Sequence, residues 1–516
     1  MRTFLTRAIL FQVTAAFNAW ADPPDSLSYT LEEIVVTDRR FELPTTSSVA
    51  TKIPLPLERT PLSVGVVTEL QLKRQDAVVL GDALKNISGV NVHTGFGAHD
   101  FFVIRGFDSL SSGLVLTDGV QEPEVSFYNT YNLERVEVLK GPGAFVYGGN
   151  PLSGAVNLVR KRPLRGSFAV INAAAGSFDG RMRKLDLGWA SQAGVAFRGN
   201  LLWQDSDNYR QDKENSAFGV NPVLSWRLGA AADLEVDLEY FRSEYASDSG
   251  LPIVGSKIAD VPRRRSYQSP FDRSNQDTYR ARVEYVNRLT DHLTLRNKLY
   301  YTDLDWPSRG TLFNGAFPNA TGSLDLFRTL LILDDRQRLV GNQLETVFSF
   351  SEAGLKHQTM AGFEVSRWTD EFALDVALLP ATDLFNPSET ASKPFAIIPG
   401  QSSAADAKVL TIAPYLVHNV SAAQRYDLFV GARFDYLDYR DDDTDTDRDY
   451  QRLSPMFGAV YRLRADWSVY TNLGLAFAPP SSQVVGKRKA EESAQLELGS
   501  KLNAFDGRIH GTMAFY

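Results

Sequence analysis

The 516-residue chain has no cysteine, 6 histidines and no apolar run of about 18 residues. The first absence removes disulfide frameworks, thiolate metal sites and cysteine nucleophiles. The third excludes a membrane protein built from helices. It leaves open a membrane β-barrel, whose strands alternate apolar and polar residues and so average to a polar composition. Positive charge is also short. Lys and Arg total 54 against 62 Asp and Glu, and a net charge of −8 has the wrong sign for a protein whose main partner is nucleic acid. No Ser, His and Asp stand at a plausible nucleophile elbow, so the chain reads as a non-enzyme.

What is present begins with an export signal. Arg2 and Arg7 flank the start of a mostly apolar stretch over residues 8–17, and Ala19-Trp20-Ala21 supplies small residues at the positions a signal peptidase reads. Residues 1–21 are therefore read as a signal peptide, and the mature protein works outside the cytoplasm. Residues 22–59 are rich in Pro, Thr, Ser and charge, without sustained period, and are expected to be mobile. Within them Glu33, Ile34, Val35, Val36 and Thr37 form a strand-like run with nothing nearby to pair with. Such a run offers its backbone to a partner chain by β-augmentation.

Residues 60–163 show a compact α+β pattern. Thr68 and Gln71 suit the capping box of a short helix, and a second helix fits residues 79–86, ending at Ser88-Gly89. Apolar runs at 90–92, 101–104, 114–116 and 133–139 read as strands, with Asp118-Gly119 as a tight turn. Glycines 141, 143, 148, 149 and 154 punctuate the end of this region. No Gly-Lys-Ser/Thr follows and Pro142 removes an amide, so these are read as closely packed turns rather than a phosphate loop.

From Gly166 onward the period changes to two. Leu234, Val236, Leu238 and Tyr240 alternate with Asp233, Glu235, Asp237 and Glu239. Tyr279, Ala281, Val283 and Tyr285 alternate with Arg280, Arg282 and Glu284. Tyr426, Leu428, Val430, Ala432, Phe434 and Tyr436 stand opposite Asp427, Gly431, Arg433 and Asp435, with Phe429 the one apolar exception on the polar side. Runs of about ten residues exceed the five or six usual in soluble sheets, and charged faces suit a wet lumen. Trp189, Trp203, Trp226, Tyr300, Tyr301, Tyr461, Trp467 and Tyr470 fit interfacial girdles. The fold class is an all-β membrane barrel over 166–516 behind an N-terminal α+β domain. Asp443, Asp445 and Asp447 mimic a calcium loop, but Arg448 replaces the required glycine and Ser454 stands where the bidentate Glu belongs, so no metal site is expected. Arg263-Arg264-Arg265 reads as a solvated loop able to meet lipopolysaccharide phosphate.

These residues together resemble the TonB-dependent outer-membrane receptors, in their ferric-siderophore branch. Glu33 to Thr37 looks like the TonB box. Ile104-Arg105-Gly106-Phe107 and Leu116-Thr117-Asp118-Gly119-Val120 are similar to two plug signatures, and residues 133–163 to the run that ends where plug meets barrel. Leu453-Ser454-Pro455, residues 467–479 and Glu497-Leu498-Gly499-Ser500-Lys501 resemble the C-terminal half of the barrel. The resemblance implies an energised importer of ferric siderophore in the gram-negative outer membrane, with the TonB periplasmic domain as partner and no cofactor beyond iron carried in the ligand. It implies residues 22–59 as a periplasmic segment, 60–163 as plug and 166–516 as barrel. Plug arginines Arg105 and Arg135 would lock onto barrel glutamates, Glu497 among them. Phe96, Gln121, Phe127 and Tyr128 at plug apices would contact ligand. A passive porin or adhesin-like barrel, or a non-functional truncated receptor, are the alternatives, and a histidine-built haem signature is not seen. Complete members close with about 22 strands, while the residues after 166 leave room for roughly 14 to 16. The sequence is thus expected to hold an incomplete, C-terminally truncated barrel.

Overall fold

The computed structural model describes residues 46–516 apart from 48, 54, 96–98, 110–113, 124–127, 150, 389–394, 480–489 and 506–508. The signal peptide at 1–21, the box residues Glu33, Ile34, Val35, Val36 and Thr37, and the candidate ligand contacts Phe96 and Phe127 lie outside the described residues.

The N-terminal domain is built on a five-stranded sheet. Its strands are β1 (Ser63–Thr68), β2 (Leu114–Thr117), β3 (Val120–Gln121), β4 (Leu133–Lys140) and β5 (Gly154–Arg160), ordered β1-β4-β5-β2-β3. Only β5 and β2 pair in parallel. Three short helices accompany it, α1 (Glu69–Arg74), α2 (Leu80–Leu84) and α3 (Ala144–Tyr147). Thr68 caps α1 by accepting the Gln71 N–H at 3.3 Å. Asp82 caps α2 by accepting from the N–H groups of Val78 and Val79, and that helix is shorter than its sequence pattern suggests. Asp118 and Gly119 both take positive φ, 50° and 77°, the geometry of a two-residue hairpin turn between β2 and β3. Val67, Leu84, Val136, Val138 and Val156 form the core under α1 and α2.

The described residues of 47–59, a stretch expected to be mobile, are packed instead. Val49, Ala50, Ile53 and Leu57 are buried in one cluster with Leu139 and Phe145 of the plug and Met360, Val417 and Phe429 of the barrel. Val49, Ile53 and Leu57 bury enough surface to hold the stretch against the wall, at about 1.5–3 kcal/mol each.

Among the described residues the C-terminal region is a sixteen-stranded antiparallel sheet. Fifteen of its strands follow one another in chain order from Phe168–Ala175 to Ile509–Phe515, and Ala396–Ile397 pairs beside the path. The number falls in the expected range. Among the described residues the first and last strands each pair with one neighbour. Alternation holds along the sheet: Leu428, Phe457, Leu473 and Leu496 point outward and are about half exposed, forming an apolar band that suits lipid. Asp427, Arg433 and Asp435 point inward and are buried. Phe429, the exception to the pattern, faces the plug and packs edge-on against Phe145 at 5.9 Å. The girdle expectation fails for Tyr300 and Tyr470, which turn inward to donate to Glu364 and Glu497. Tyr300 and Tyr301 are consecutive, so period two must send one of them inside.

Strands Leu324–Glu352 and Leu355–Asp383 run 29 residues each, far beyond the 9–11 or so needed to cross a bilayer. They join through Ala353 and Gly354 alone, whereas residues 384–402 connect the far end of the second to the next long strand. Short turns mark the periplasmic rim and long loops the outer one.

Candidate functional site

The plug is fastened to the barrel by buried ion pairs. Arg105 sits at the end of the strand His99–Ile104 with φ 51°, followed by Gly106 at φ 90°. This left-handed corner aims its side chain at the strand Glu491–Ala504. There Arg105 pairs with Glu497, the two side chains 6% and 0% exposed, and donates to Gln495 at 2.7 Å. Tyr470 donates to the other oxygen of Glu497. The two residues expected to lock are thus brought together.

Arg135 is not part of that lock. Its carboxylate partners are Glu134 at 2.7 Å and Glu137 at 2.9 Å, both on its own strand. Arg135 and Glu137 are two apart on β4, so they share a face of the plug sheet. Glu137 is fully buried and also accepts the Val49 N–H, which makes the pair a brace within the plug.

Further pairs ring the interface. Arg160 binds Asp118 and the barrel's Asp237, each at 2.7 Å, and Glu122 binds Arg280 at 2.8 Å and Arg282 at 2.7 Å. Burial works against ionisation of Asp118, but Arg160, Arg162, Arg282 and Lys298 outweigh it and hold the carboxyl well below the usual range. Burial likewise opposes charge on Glu122, and Arg280 and Arg282 overcome it. Over the interface as a whole the commoner order is a plug cation on a barrel carboxylate, as with Lys52 on Glu345, Lys161 on Asp186 and Arg162 on Glu284, and Glu122 reverses it.

Residues 57–62 form a strap along the wall. Arg59 binds Asp427 at 2.6 Å, and Asn472 donates to the Pro61 carbonyl at 2.9 Å. Buried Lys501 donates all three of its protons, to the carbonyls of Leu57, Thr60 and Leu62 at 2.7, 2.6 and 2.7 Å. Lys501→Met would leave three carbonyls without that donor. Amide hydrogen exchange over residues 57–63 should then accelerate more than about tenfold while β4 keeps its protection. Unchanged exchange in the strap would show that the lysine does not hold it.

Above the plug, toward the long loops, lies a cavity lined by both plug and barrel. Its floor is Gln121 and Glu122 after the β2–β3 turn, and Gly149 after α3; its walls include Trp368, Tyr439, Tyr450 and Arg433 of the barrel. Gly148 has φ 80°, and a Cβ there would stand 2.7 Å from Asp435 Oδ1 and 3.0 Å from Arg433 Nε. The plug's glycine run is what lets its backbone reach this pair. At the base of the run, a Cβ on Gly154 would overlap the Leu139 carbonyl. The close-packing reading of these glycines holds at both positions, and α3 lies between Gly143 and Gly148.

Family comparison then decides the kind of molecule this is. Residues 225–516 match the family described as TonB dependent receptor-like, beta-barrel, and residues 56–155 match the TonB-dependent Receptor Plug Domain. The chain belongs to the TonB-dependent receptors. As such it is a protein of the gram-negative outer membrane, in a family of receptors and transporters. It is 24% identical over 541 residues to the catecholate siderophore receptor Fiu of Escherichia coli O157:H7, covering 90% of this chain and 69% of that protein. It is 26% identical over 499 residues to the metal-pseudopaline receptor CntO of Pseudomonas aeruginosa UCBPP-PA14, covering 91% and 68%. The crystal structure of the closed form of Fiu from E. coli K12 superposes with a TM-score of 0.82 at 22% identity, covering 91% of this chain and 75% of that one.

Of the proposed apical contacts in this receptor, Gln121 lines the cavity. Tyr128 does not; its hydroxyl donates to the Pro123 carbonyl at 2.9 Å and it borders a separate crevice with Arg280 and Glu239. Sequence reasoning missed Glu122, Trp368, Arg433, Asp435, Tyr439 and Tyr450. Arg433 and Asp435 did stand on the polar face of an alternating run, but which polar residues meet a ligand is set by the height of the plug inside the barrel.

Proposed function

We propose that the receptor imports a ferric siderophore, binding it in the cavity above the plug and drawing energy from TonB docked as a strand partner on Ile34, Val35 and Val36. The observation that carries this reading is the arrangement of an aromatic-walled cavity on the long-loop side, floored by a plug joined to the barrel by a ring of buried ion pairs as well as by an apolar cluster. A pore for passive diffusion has no use for such a floor. The outer membrane holds no ATP, so moving a scarce ligand past it needs force applied from the periplasm. Arg105 and Glu497 act as the lock, and the strap over residues 57–62 joins the pulled end to the plug. The names of its relatives, a catecholate siderophore receptor and a metal-pseudopaline receptor, agree with a metal chelate as cargo. Exposed Arg263 and Arg264 on an outer loop are offered to lipopolysaccharide phosphate.

Val35→Pro removes a backbone donor from the augmenting strand. Cells carrying it should still adsorb ferric siderophore at the surface and fail to accumulate iron from it. Uptake equal to wild type would overturn the import reading.

A further inference from the structure

We infer that the ligand taken by this cavity carries a cationic or N–H-donating group, recognised by Asp435, and is not a purely anionic chelate. The inference rests on the import reading and narrows its substrate class. Among the described residues the charged side chains lining the cavity are three carboxylates, Glu122, Glu364 and Asp435, and one guanidinium, Arg433.

Arg433 is already committed. Its Nη1 donates to Glu364 at 2.7 Å and its Nε to Asp435 Oδ1 at 2.8 Å, with the side chain 2% exposed. It is held from below as well, since Nη1 also reaches the Val146 carbonyl of α3 at 3.4 Å. Asp435 is fully buried, and its Oδ2 has no hydrogen-bond partner. A buried carboxylate oxygen without a donor is costly, and a donor arriving with a ligand would relieve it. The buried polar atom left without a partner at this point of the wall is therefore an acceptor.

Between the cavity and the long loops the inward-facing register carries three buried carboxylates, Asp335, Asp370 and Asp441, and one guanidinium, Arg448. Trp368, Tyr439 and Tyr450 supply ring faces that attract a cation within about 6 Å. Aromatic walls around a carboxylate form a site for an ammonium or a protonated amine. A chelate with only phenolate or carboxylate oxygens would bring further acceptors to a wall whose one guanidinium already serves two carboxylates.

The test uses the full chain in outer-membrane vesicles and two probes that differ by one charge. These are the ferric trihydroxamate ferrioxamine B, which bears a free ammonium, and its neutral N-acetylated form. Wild type should bind the ammonium chelate about tenfold tighter or more, and Asp435→Asn should bring the ratio near one. Heat-modifiable migration checks that the variant is folded, and the wild-type ratio stands without it. A wild-type ratio near or below one, no binding of the ammonium chelate, or a ratio unmoved by Asp435→Asn would each overturn the inference. A ferric tris-catecholate that binds tightest and enters cells only when TonB is present would overturn it too, while leaving the import reading intact.

Discussion

Arg105→Ala should loosen the seated plug by about 3–5 kcal/mol, the cost of leaving one member of a buried ion pair without its partner. Glu497 is fully enclosed, and after the substitution only Tyr470 and Gln495 would remain to satisfy it. The loss is expected to show as faster proteolysis of the plug and as outer-membrane leakage to a large polar antibiotic. Adding Glu497→Gln to Arg105→Ala should restore much of the stability, because a neutral amide still accepts from Tyr470 and no charge is left stranded. That rescue separates a charge lock from simple packing, in which the second change could only make matters worse. A single variant as protease-resistant as wild type would show that Arg105 does not fasten the plug. Glu137→Gln, by contrast, should weaken the brace to Arg135 and the anchoring of the Val49 amide without touching the barrel wall.

Leu238→Arg should cost about 2–4 kcal/mol in lipid, the penalty for a cation on the outer face near the bilayer midplane. Leu238 lies on the strand Ala232–Tyr245, is 47% exposed, and points outward between two inward carboxylates, Asp237 and Glu239. Its neighbour across the ladder is Ala281, too small to cover an inserted guanidinium. Glu235 on the inward face is the matched control. It pairs with half-exposed Arg162 at 3.2 Å, and Arg162 keeps a second partner in Glu284 at 2.9 Å, so Glu235→Gln should cost less than about 1 kcal/mol. Urea titration of both variants in lipid vesicles, followed by heat-modifiable migration, compares them directly. Equal effects would mean the strand does not present one face to lipid and the other to the lumen.

Period-two alternation settled which side of each barrel strand meets lipid, because the pleat leaves a residue no other choice. Tyr426, Leu428 and Phe434 lie outside and Asp427, Arg433 and Asp435 inside on that ground alone. The cap at Thr68 and the hairpin turn at Asp118 and Gly119 were legible for a similar reason, since each depends on a few neighbouring residues and their backbone preferences. The motif around Arg105 and the one around Glu497, nearly four hundred positions apart, could be matched by resemblance.

Where the charges find their partners was decided by the tertiary structure. Arg105 and Arg135 look alike in sequence, yet one reaches a barrel carboxylate and the other an acid two residues away on its own strand. Lys501 carries nothing locally that marks it as the holder of a strap from the other end of the chain. Tyr300 and Tyr301 share one composition signal and take opposite faces. The physical reason is common to all of these. Local sequence determines backbone geometry and the face a side chain takes, through interactions spanning a few residues. The partner of a buried charge depends on how deep the plug sits and how the sheet wraps it, and burial in that enclosed interface makes the right partner obligatory.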